Sequence, residues 1–249
     1  MKLRAVVIWA ALVGAACPVL TAAAADNAAP GQTGTAPGRP VSLSGPGSEA
    51  RWAYVLERTP VHAAPERSAP TITTLATSTT LGQPNLVLVL AKERDAGGRD
   101  WVLVRLAVRP NGATGWVERS ALDKFQVVRT HLVVDRRSLV ARLYRDRVEI
   151  FHARIGVGRE GTPTPAGDFY IREEVRNVAD PFYGPVAFGT SARSATLTDW
   201  PGGGFIGIHG TSEPQLLPGR VSHGCIRMRN ADVLRLARLM PLGTPVTIS

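Results

Sequence analysis

From Gln126 onward the chain alternates apolar and polar residues with a period of two. His131–Asp135, Ser138–Tyr144 and Val148–Val157 read as strands, divided by the turns Asp135-Arg136-Arg137 and Arg145-Asp146-Arg147, and predict an antiparallel meander. Shorter β-rich runs precede them at Trp52–Leu56, Thr71–Leu75, Leu86–Ala91, Trp101–Val108 and Gly115–Val117. Turn formers separate these runs, among them Ala96-Gly97-Gly98 and Pro110-Asn111-Gly112, whose Asn-Gly pair is a hairpin signal. A helical period appears near the C-terminus, at Ala231–Met240. Val233, Leu234, Leu236, Ala237 and Met240 share one face there, and Asn230 stands where a cap is expected. Gly243 then ends the connection and Thr244–Ile248 reads as a last strand. Residues Glu173–Gly204 follow neither period and are rich in turn formers and aromatics, which predicts a long irregular insertion of the kind that carries function. The predicted fold class is mainly β, in two domains over 51–122 and 126–249, with one or two short helices.

The N-terminus changes this picture. Lys2 and Arg4 lead an apolar run from Ala5 to Leu20, and Ala22-Ala23-Ala24-Ala25 precede Asp26, so residues 1–25 read as a secretory signal peptide. The run is too short and too rich in Ala for a permanent membrane anchor. Gly14 stands where a lipoprotein would carry a branched aliphatic residue, which disfavours acylation of Cys17. Residues 26–50 hold almost no large apolar side chain and are expected to form a disordered Ala/Gly/Pro/Ser/Thr linker. The expected location of the mature protein is outside the cytoplasm, in the periplasm or cell wall.

The formal charge is +9, and only Lys2, Lys92 and Lys124 among the basic residues are lysines. The arginines are scattered, with no compact basic run and no nucleic-acid motif, so nucleic acid is not an expected partner. For an exported chain, attraction to anionic wall polymers or lipid head groups fits this charge better.

Candidate chemistry concentrates in Ile208-His209-Gly210 and Ser222-His223-Gly224-Cys225-Ile226-Arg227-Met228-Arg229-Asn230. The chain has two cysteines, and cleavage before Asp26 would remove Cys17. An exported protein would then carry a single unpaired thiol, a liability in an oxidising compartment unless it is used. A thiol becomes a good nucleophile near neutral pH with an imidazole or donor-rich turn beside it. The residues alone leave open a buried structural thiol and a zinc site of His209, His223 and Cys225 completed by Asp199 or Glu213. No known zinc spacing supports the latter.

Taken together, His209-Gly210, Ser222-His223-Gly224-Cys225, Arg227 and Asn230 resemble the signature of the L,D-transpeptidase catalytic domain. Upstream, Gly156-Val157-Gly158 and Thr162-Pro163-Thr164-Pro165-Ala166-Gly167-Asp168-Phe169 resemble that family's Gly-rich strand end and its Thr-Pro turn. The resemblance covers about residues 126–249. It implies a secreted acyltransferase acting on peptidoglycan stem peptides, with Cys225 as nucleophile and His209 as proton donor and acceptor. The Gly210 carbonyl would orient His209, and the amides around His223, Gly224 and Cys225 would form an oxyanion hole. Ser222 and His223 would shape the substrate site, Arg227 would meet a substrate carboxylate or form a structural ion pair, and a flap over the site would bring in Phe182, Tyr183 and Trp200. The implied reaction joins third residues of two stems through a cysteine thioester with loss of D-alanine. No metal or cofactor is implied.

Upstream, the Thr-Pro-Val-His turn, Ala64-Pro65, Trp101-Val102-Leu103-Val104 and Gly115-Trp116-Val117 resemble a bacterial SH3-like domain over 51–122, a small barrel that would bind cell wall. Trp101 and Trp116 suit either its core or a binding groove. Other readings remain at this stage: an L,D-carboxypeptidase or a protein-to-peptidoglycan ligase using the same cysteine, or a non-catalytic wall-binding protein. An NlpC/P60-type peptidase is disfavoured, since its Cys precedes its His and here His209 comes before Cys225.

Overall fold

A computed structural model of the chain describes residues 40–44, 49–178, 180–197 and 204–249. The signal-like residues 1–25 and Trp200 lie outside them. The period-two runs form two sheets. The first uses β1 (Val41–Ser42), β2 (Ala50–Tyr54), β3 (Thr59–His62), β4 (Thr71–Leu75), β5 (Leu86–Arg94), β6 (Asp100–Arg105), β7 (Thr114–Glu118) and β8 (Gln126–Val128). Its order is β4-β3-β7-β6-β5-β2-β8, with β1 alongside β5, and its pairs are antiparallel.

Val87, Val89, Val102, Val104 and Val117 pack into one core, as the alternation of β5, β6 and β7 requires. Three details differ from the sequence reading. Thr59–His62, expected as a turn, is a strand, because Val61 and His62 are both buried and hold it against its neighbours. Strand β2 starts at Ala50 and stops at Tyr54, leaving Leu56 exposed. The stretch expected as a linker supplies β1, where Val41 pairs with Lys92, and the Leu43 carbonyl accepts from Arg51 Nη1 at 2.7 Å. Trp101 and Trp116 are core residues, 0% and 8% exposed.

The second sheet holds β9 (Thr130–Asp135), β10 (Val140–Arg145), β11 (Val148–Arg154), β12 (Gly156–Gly158), β13 (Gly167–Arg176), β14 (Val186–Arg193), β15 (Phe205–His209), β16 (Gly219–Ser222), β17 (Ile226–Arg227) and β18 (Pro245–Ile248). The helix α1 (Asn230–Leu239) packs against β14. The order is β11-β10-β9-β18-β13-β14-β15-β17-β12-β16. Most neighbours are antiparallel, but β9/β18, β15/β17 and β12/β16 are parallel.

The meander β9-β10-β11 forms as its alternation predicts, whereas Val148–Val157 divides at Ile155 into β11 and β12, which pair with different neighbours. The insertion expected over Glu173–Gly204 contains two stretches of strand, since β13 runs to Arg176 and β14 spans Val186–Arg193. These strands lack a legible period because Phe169 to Glu173 are all buried. A strand covered on both faces loses the alternation that a half-exposed strand shows. The helix also departs in detail. Arg229, with no side-chain bond, occupies the cap position, Asn230 is the first helical residue, and Leu234 is exposed while Val233, Leu236 and Ala237 are buried.

What covers the second face of β13 is the first sheet. Phe169 and Ile171 enter the core of the second sheet, while Tyr170 packs with Ala50, Leu86, Leu88 and Val128. The Tyr170 hydroxyl donates to the Leu86 carbonyl at 3.3 Å, and Thr79 Oγ1 donates to Glu173 Oε2 at 2.7 Å. The two sheets therefore share buried surface within one compact unit.

Candidate active site

The sequence motif becomes a site through the parallel pair β15/β17. Ile208 stands opposite Ile226 and His209 opposite Arg227. Successive side chains on a strand point to opposite faces, so Ile208 and Ile226 enter the core while His209 and Arg227 share the other face. One step back in the same register Gly207 faces Cys225, and its N–H donates to Cys225 Sγ at 3.4 Å. Gly207 has no side chain, which leaves the space in front of the thiol open. A Cβ built there would stand 3.8 Å from Cys225 Sγ and 3.9 Å from His209 Cδ2, the ring carbon beside Nε2. The thiol and that edge of the imidazole therefore flank one point.

His209 is 2% exposed, and its Nδ1 lies 2.7 Å from the Gly210 carbonyl. A carbonyl only accepts, so Nδ1 carries the proton and Nε2 is left as the acceptor. Burial holds the imidazole pKa down to about 4; the Gly210 carbonyl opposes this and the Arg227 cation adds to it. Burial pushes the Cys225 thiol up, against smaller opposing effects of the Gly207 amide and Arg227. The resting pair at neutral pH is thus a neutral thiol and a neutral imidazole.

Asn230 fixes the turn that orients His209. Its Oδ1 accepts from Thr211 N–H at 2.8 Å and packs where a Cβ on Gly210 would sit, 2.3 Å away. The Gly210 carbonyl is held in place by this contact and by Gly210 N–H donating to Val186 O at 3.3 Å. Sequence reading gave Asn230 as a helix cap or a turn-stabiliser, and the second is what it is. Its side chain reaches across to the residues that follow His209.

The Ser222–Cys225 turn is braced from two sides. Ser222 Oγ donates to the Cys225 carbonyl at 2.5 Å and accepts from Gly224 N–H at 3.1 Å. Thr164, from the Thr-Pro segment, donates through Oγ1 to the Gly224 carbonyl at 2.7 Å and accepts from Gly158 N–H at 2.9 Å. Gly224 has φ +120, a region that favours glycine, and a Cβ there would stand 2.9 Å from Ile206 Cδ1. With its amide engaged by Ser222, Gly224 contributes geometry and offers no oxyanion donor. That narrows the expected donors to the amides of His223 and Cys225. Ser222 is likewise a brace of the turn, buried at 1% exposure.

Tyr183, His209, Ser222, His223, Cys225 and Arg227 line one open cleft. Phe182 and Tyr183 stand beside His209 in it, with Tyr183 edge-on to the His209 ring at 4.9 Å between centroids. The Arg227 guanidinium lies 4.3 Å from the Phe182 ring centroid and donates through Nη1 to Glu213 Oε2 at 3.3 Å; its Nε is buried without a partner. His223 Nε2 accepts from Arg159 Nη2, and burial with the cations Arg159 and Arg227 holds its pKa down. His223 is therefore occupied on the nitrogen a base would use, and Glu213 is committed to Arg227. Among the described residues no group of His, Cys, Asp or Glu is arranged to hold a metal ion. Arg159, Thr164, Gly207, Leu197 and Phe205 also contribute to the site or its cleft. Of these, Thr164 had a sequence signal in the Thr-Pro turn.

Comparison with known proteins finds a family match over the residues that hold this site. Residues 129–248 match the model of YkuD, the L,D-transpeptidase catalytic domain. That match takes in every strand of the second sheet, from β9 to β18. YkuD of Bacillus subtilis (strain 168), named as an L,D-transpeptidase, is 42% identical over 95 residues, 38% of this chain and 51% of that protein. YkuD of Bacillus licheniformis, named likewise, is 40% identical over 109 residues, 43% of this chain and 58% of that protein. The chain thus spans a little over half the length of the curated relatives it matches. Among solved structures, Bd1075 of Bdellovibrio bacteriovorus is 25% identical and covers 49% of this chain and 48% of its own, with a TM-score of 0.39. The catalytic domain of the E. faecium L,D-transpeptidase is 24% identical over 48% of this chain and 96% of its own, with a TM-score of 0.36.

Proposed function

We propose that this chain is an exported L,D-transpeptidase that joins the third residues of two peptidoglycan stems. The observation that carries the reading is the shared face of β15 and β17, which sets the Cys225 thiol beside an imidazole whose Nδ1 proton is fixed on the Gly210 carbonyl.

Cys225 Sγ attacks the carbonyl carbon of the third stem residue as His209 Nε2 takes its proton. Because both groups rest neutral, proton transfer accompanies attack, and the low basicity of His209 makes the imidazolium a strong acid for the next step. The tetrahedral oxyanion is met by the amides of His223 and Cys225. Collapse breaks the amide to the terminal D-alanine, whose nitrogen receives the proton from His209, and leaves a thioester on Cys225. The side-chain amine of a second stem then attacks the thioester. His209 accepts its proton and returns it to the departing sulfur, restoring the thiol. Arg227, with an unpaired buried Nε and the nearby Arg159, gives the cleft a cationic side suited to a stem carboxylate.

Export rests on the signal-like residues 1–25, and wall attachment on the resemblance of residues 51–122 to an SH3-like domain. Since Trp101 and Trp116 are buried, attachment would use other surfaces of the first sheet, aided by the positive charge. The test is incubation of the protein with disaccharide-tetrapeptides and mass analysis of the products. A dimer lacking one D-alanine supports the reading. A tripeptide with free D-alanine and no dimer would make the enzyme a carboxypeptidase instead, and no product at all would remove the activity.

A further inference from the structure

One wall of the catalytic cleft is held by the other sheet. The loop 106–113 joins β6 to β7, and at its tip Asn111 and Gly112 form the expected turn, with Ala113 N–H donating to Pro110 O at 3.3 Å. Asn111 Nδ2 donates to the Arg193 carbonyl at 2.8 Å, and Arg193 N–H donates to Asn111 Oδ1 at 2.9 Å. One side-chain amide thus satisfies both backbone groups of a single residue, as a neighbouring strand would. Arg109 Nη1 donates to the next carbonyl, Ser194 O, at 2.5 Å, and Arg193 Nε returns a bond to Ala107 O at 3.0 Å.

Arg193 and Ser194 lie where β14 passes into the cleft. Arg193 pairs with Phe205 at the start of β15, and its guanidinium sits 4.1 Å from that ring's centroid; the Arg172 guanidinium sits 4.5 Å from the same centroid. Ser194 N–H donates to Gly204 O at 2.8 Å, and Ser194 Oγ accepts from Leu197 N–H at 3.0 Å. Ser194, Leu197, Gly204, Phe205 and Ile206 line the cleft beside Cys225. Three of these four bonds end on the backbone of Arg193 and Ser194 at the cleft wall and the fourth joins the Arg193 side chain, while the bonds that brace His209 and the Ser222–Cys225 turn come from residues of the second sheet.

We infer that Asn111, with Arg109, is a positioning residue: the first sheet sets the fit of the acyl-donor peptide without touching the reacting atoms. This rests on the stem-peptide reading for the identity of the donor, but not for the existence of the clamp. Two routes to Cys225 separate the two. Iodoacetamide is small enough to need only the thiol, whereas a tripeptidyl chloromethyl ketone needs the shaped wall.

The experiment compares the full-length chain with its Asn111→Ala and Arg109→Ala variants. Measured are KM and kcat for a disaccharide-tetrapeptide, the two alkylation rates, and Tm. Asn111→Ala is expected to raise KM about tenfold with kcat changed less than about twofold. It should slow the peptidyl reagent by a similar factor and leave the iodoacetamide rate unchanged. Arg109→Ala, which loses one bond rather than two, should shift KM about threefold in the same direction. An unchanged KM and an unchanged ratio of the two alkylation rates would overturn the inference. So would equal slowing of both reagents together with a fall in Tm, which would mean a merely structural contact. If the wild-type protein turns over no stem peptide, the proposed function falls, while the ratio of alkylation rates still decides the clamp.

Discussion

The two sheets were laid down by the same alternating pattern, yet they contribute to the site in different ways. The second sheet holds the proposed reacting groups on one parallel strand pair and braces them with its own residues, Ser222, Thr164, Gly210 and Asn230. The first sheet reaches the site at one wall, through Asn111 and Arg109, and shares a buried face with β13. The proposed reacting groups and most of their braces thus lie close in sequence, from His209 to Asn230, with Thr164 joining them from farther upstream, whereas the wall held by the first sheet depends on residues more than eighty positions apart. The difference teaches that a legible motif marks where bonds are made and broken, and says little about what holds its surroundings.

The largest expected effect falls within the second sheet. His209→Ala should slow acylation by roughly 10²–10⁴-fold, the usual contribution of a positioned acid–base group, read as single-turnover release of D-alanine. A loss below about tenfold would shift the proton transfer to another group.

The shared face between sheets is tested by Leu86→Ala. Leu86 is 0% exposed, in the first sheet, and packs with Tyr170 of the second. Truncating a buried Leu costs roughly 2–5 kcal/mol. If the sheets unfold together, a single melting transition should move down as a whole. Two transitions, with only one displaced, would break the comparison and make the sheets independent.

Acid pH probes the buried imidazole of the second sheet. The folded pKa of His209, about 4, lies below the ordinary 6.5. The folded state therefore binds fewer protons than the unfolded one between these values. Stability is at its full value above pH 6.5 and is lost as pH falls toward 4, by roughly 3 kcal/mol from this group alone. Denaturant midpoints at pH 7.5 and 4.5 should show that slope, and it should flatten in His209→Gln. An equal slope in both proteins would assign it elsewhere.

The smallest effect is expected at Asn230. Replacing it by Ala removes the acceptor of Thr211 N–H and frees the Gly210 turn, at a cost of about 1 kcal/mol in stability. Turnover should fall by up to about tenfold as His209 loses its fixed tautomer, and the fall should come in kcat. A change confined to stability would leave Asn230 as a structural contact alone.

How far the sequence carried is best judged at particular residues. The meander β9-β10-β11 and the helix after Arg229 were legible because each has one exposed face, which keeps the period visible. Strand β13 was not, since Phe169 to Glu173 are covered on both sides and its charged residues Arg172 and Glu173 imitate a loop. That His209 and Cys225 meet in one cleft was legible through their motif, and Tyr183 beside them through its place in an aromatic, turn-rich segment. Gly207 was not, because its part is a backbone amide and an empty space. Asn111 looked like a turn residue, and nothing in its own neighbourhood points to Arg193, which lies far along the chain.

The central claim is that the thiol held on the face shared by β15 and β17 forms the acyl-enzyme. Intact-protein mass and peptide mapping after brief incubation with a disaccharide-tetrapeptide test it directly, in the wild-type protein and in Cys225→Ala. The account predicts an adduct equal to the donor less D-alanine, carried on the peptide containing Cys225, and no adduct in Cys225→Ala. An adduct that persists in Cys225→Ala would contradict it.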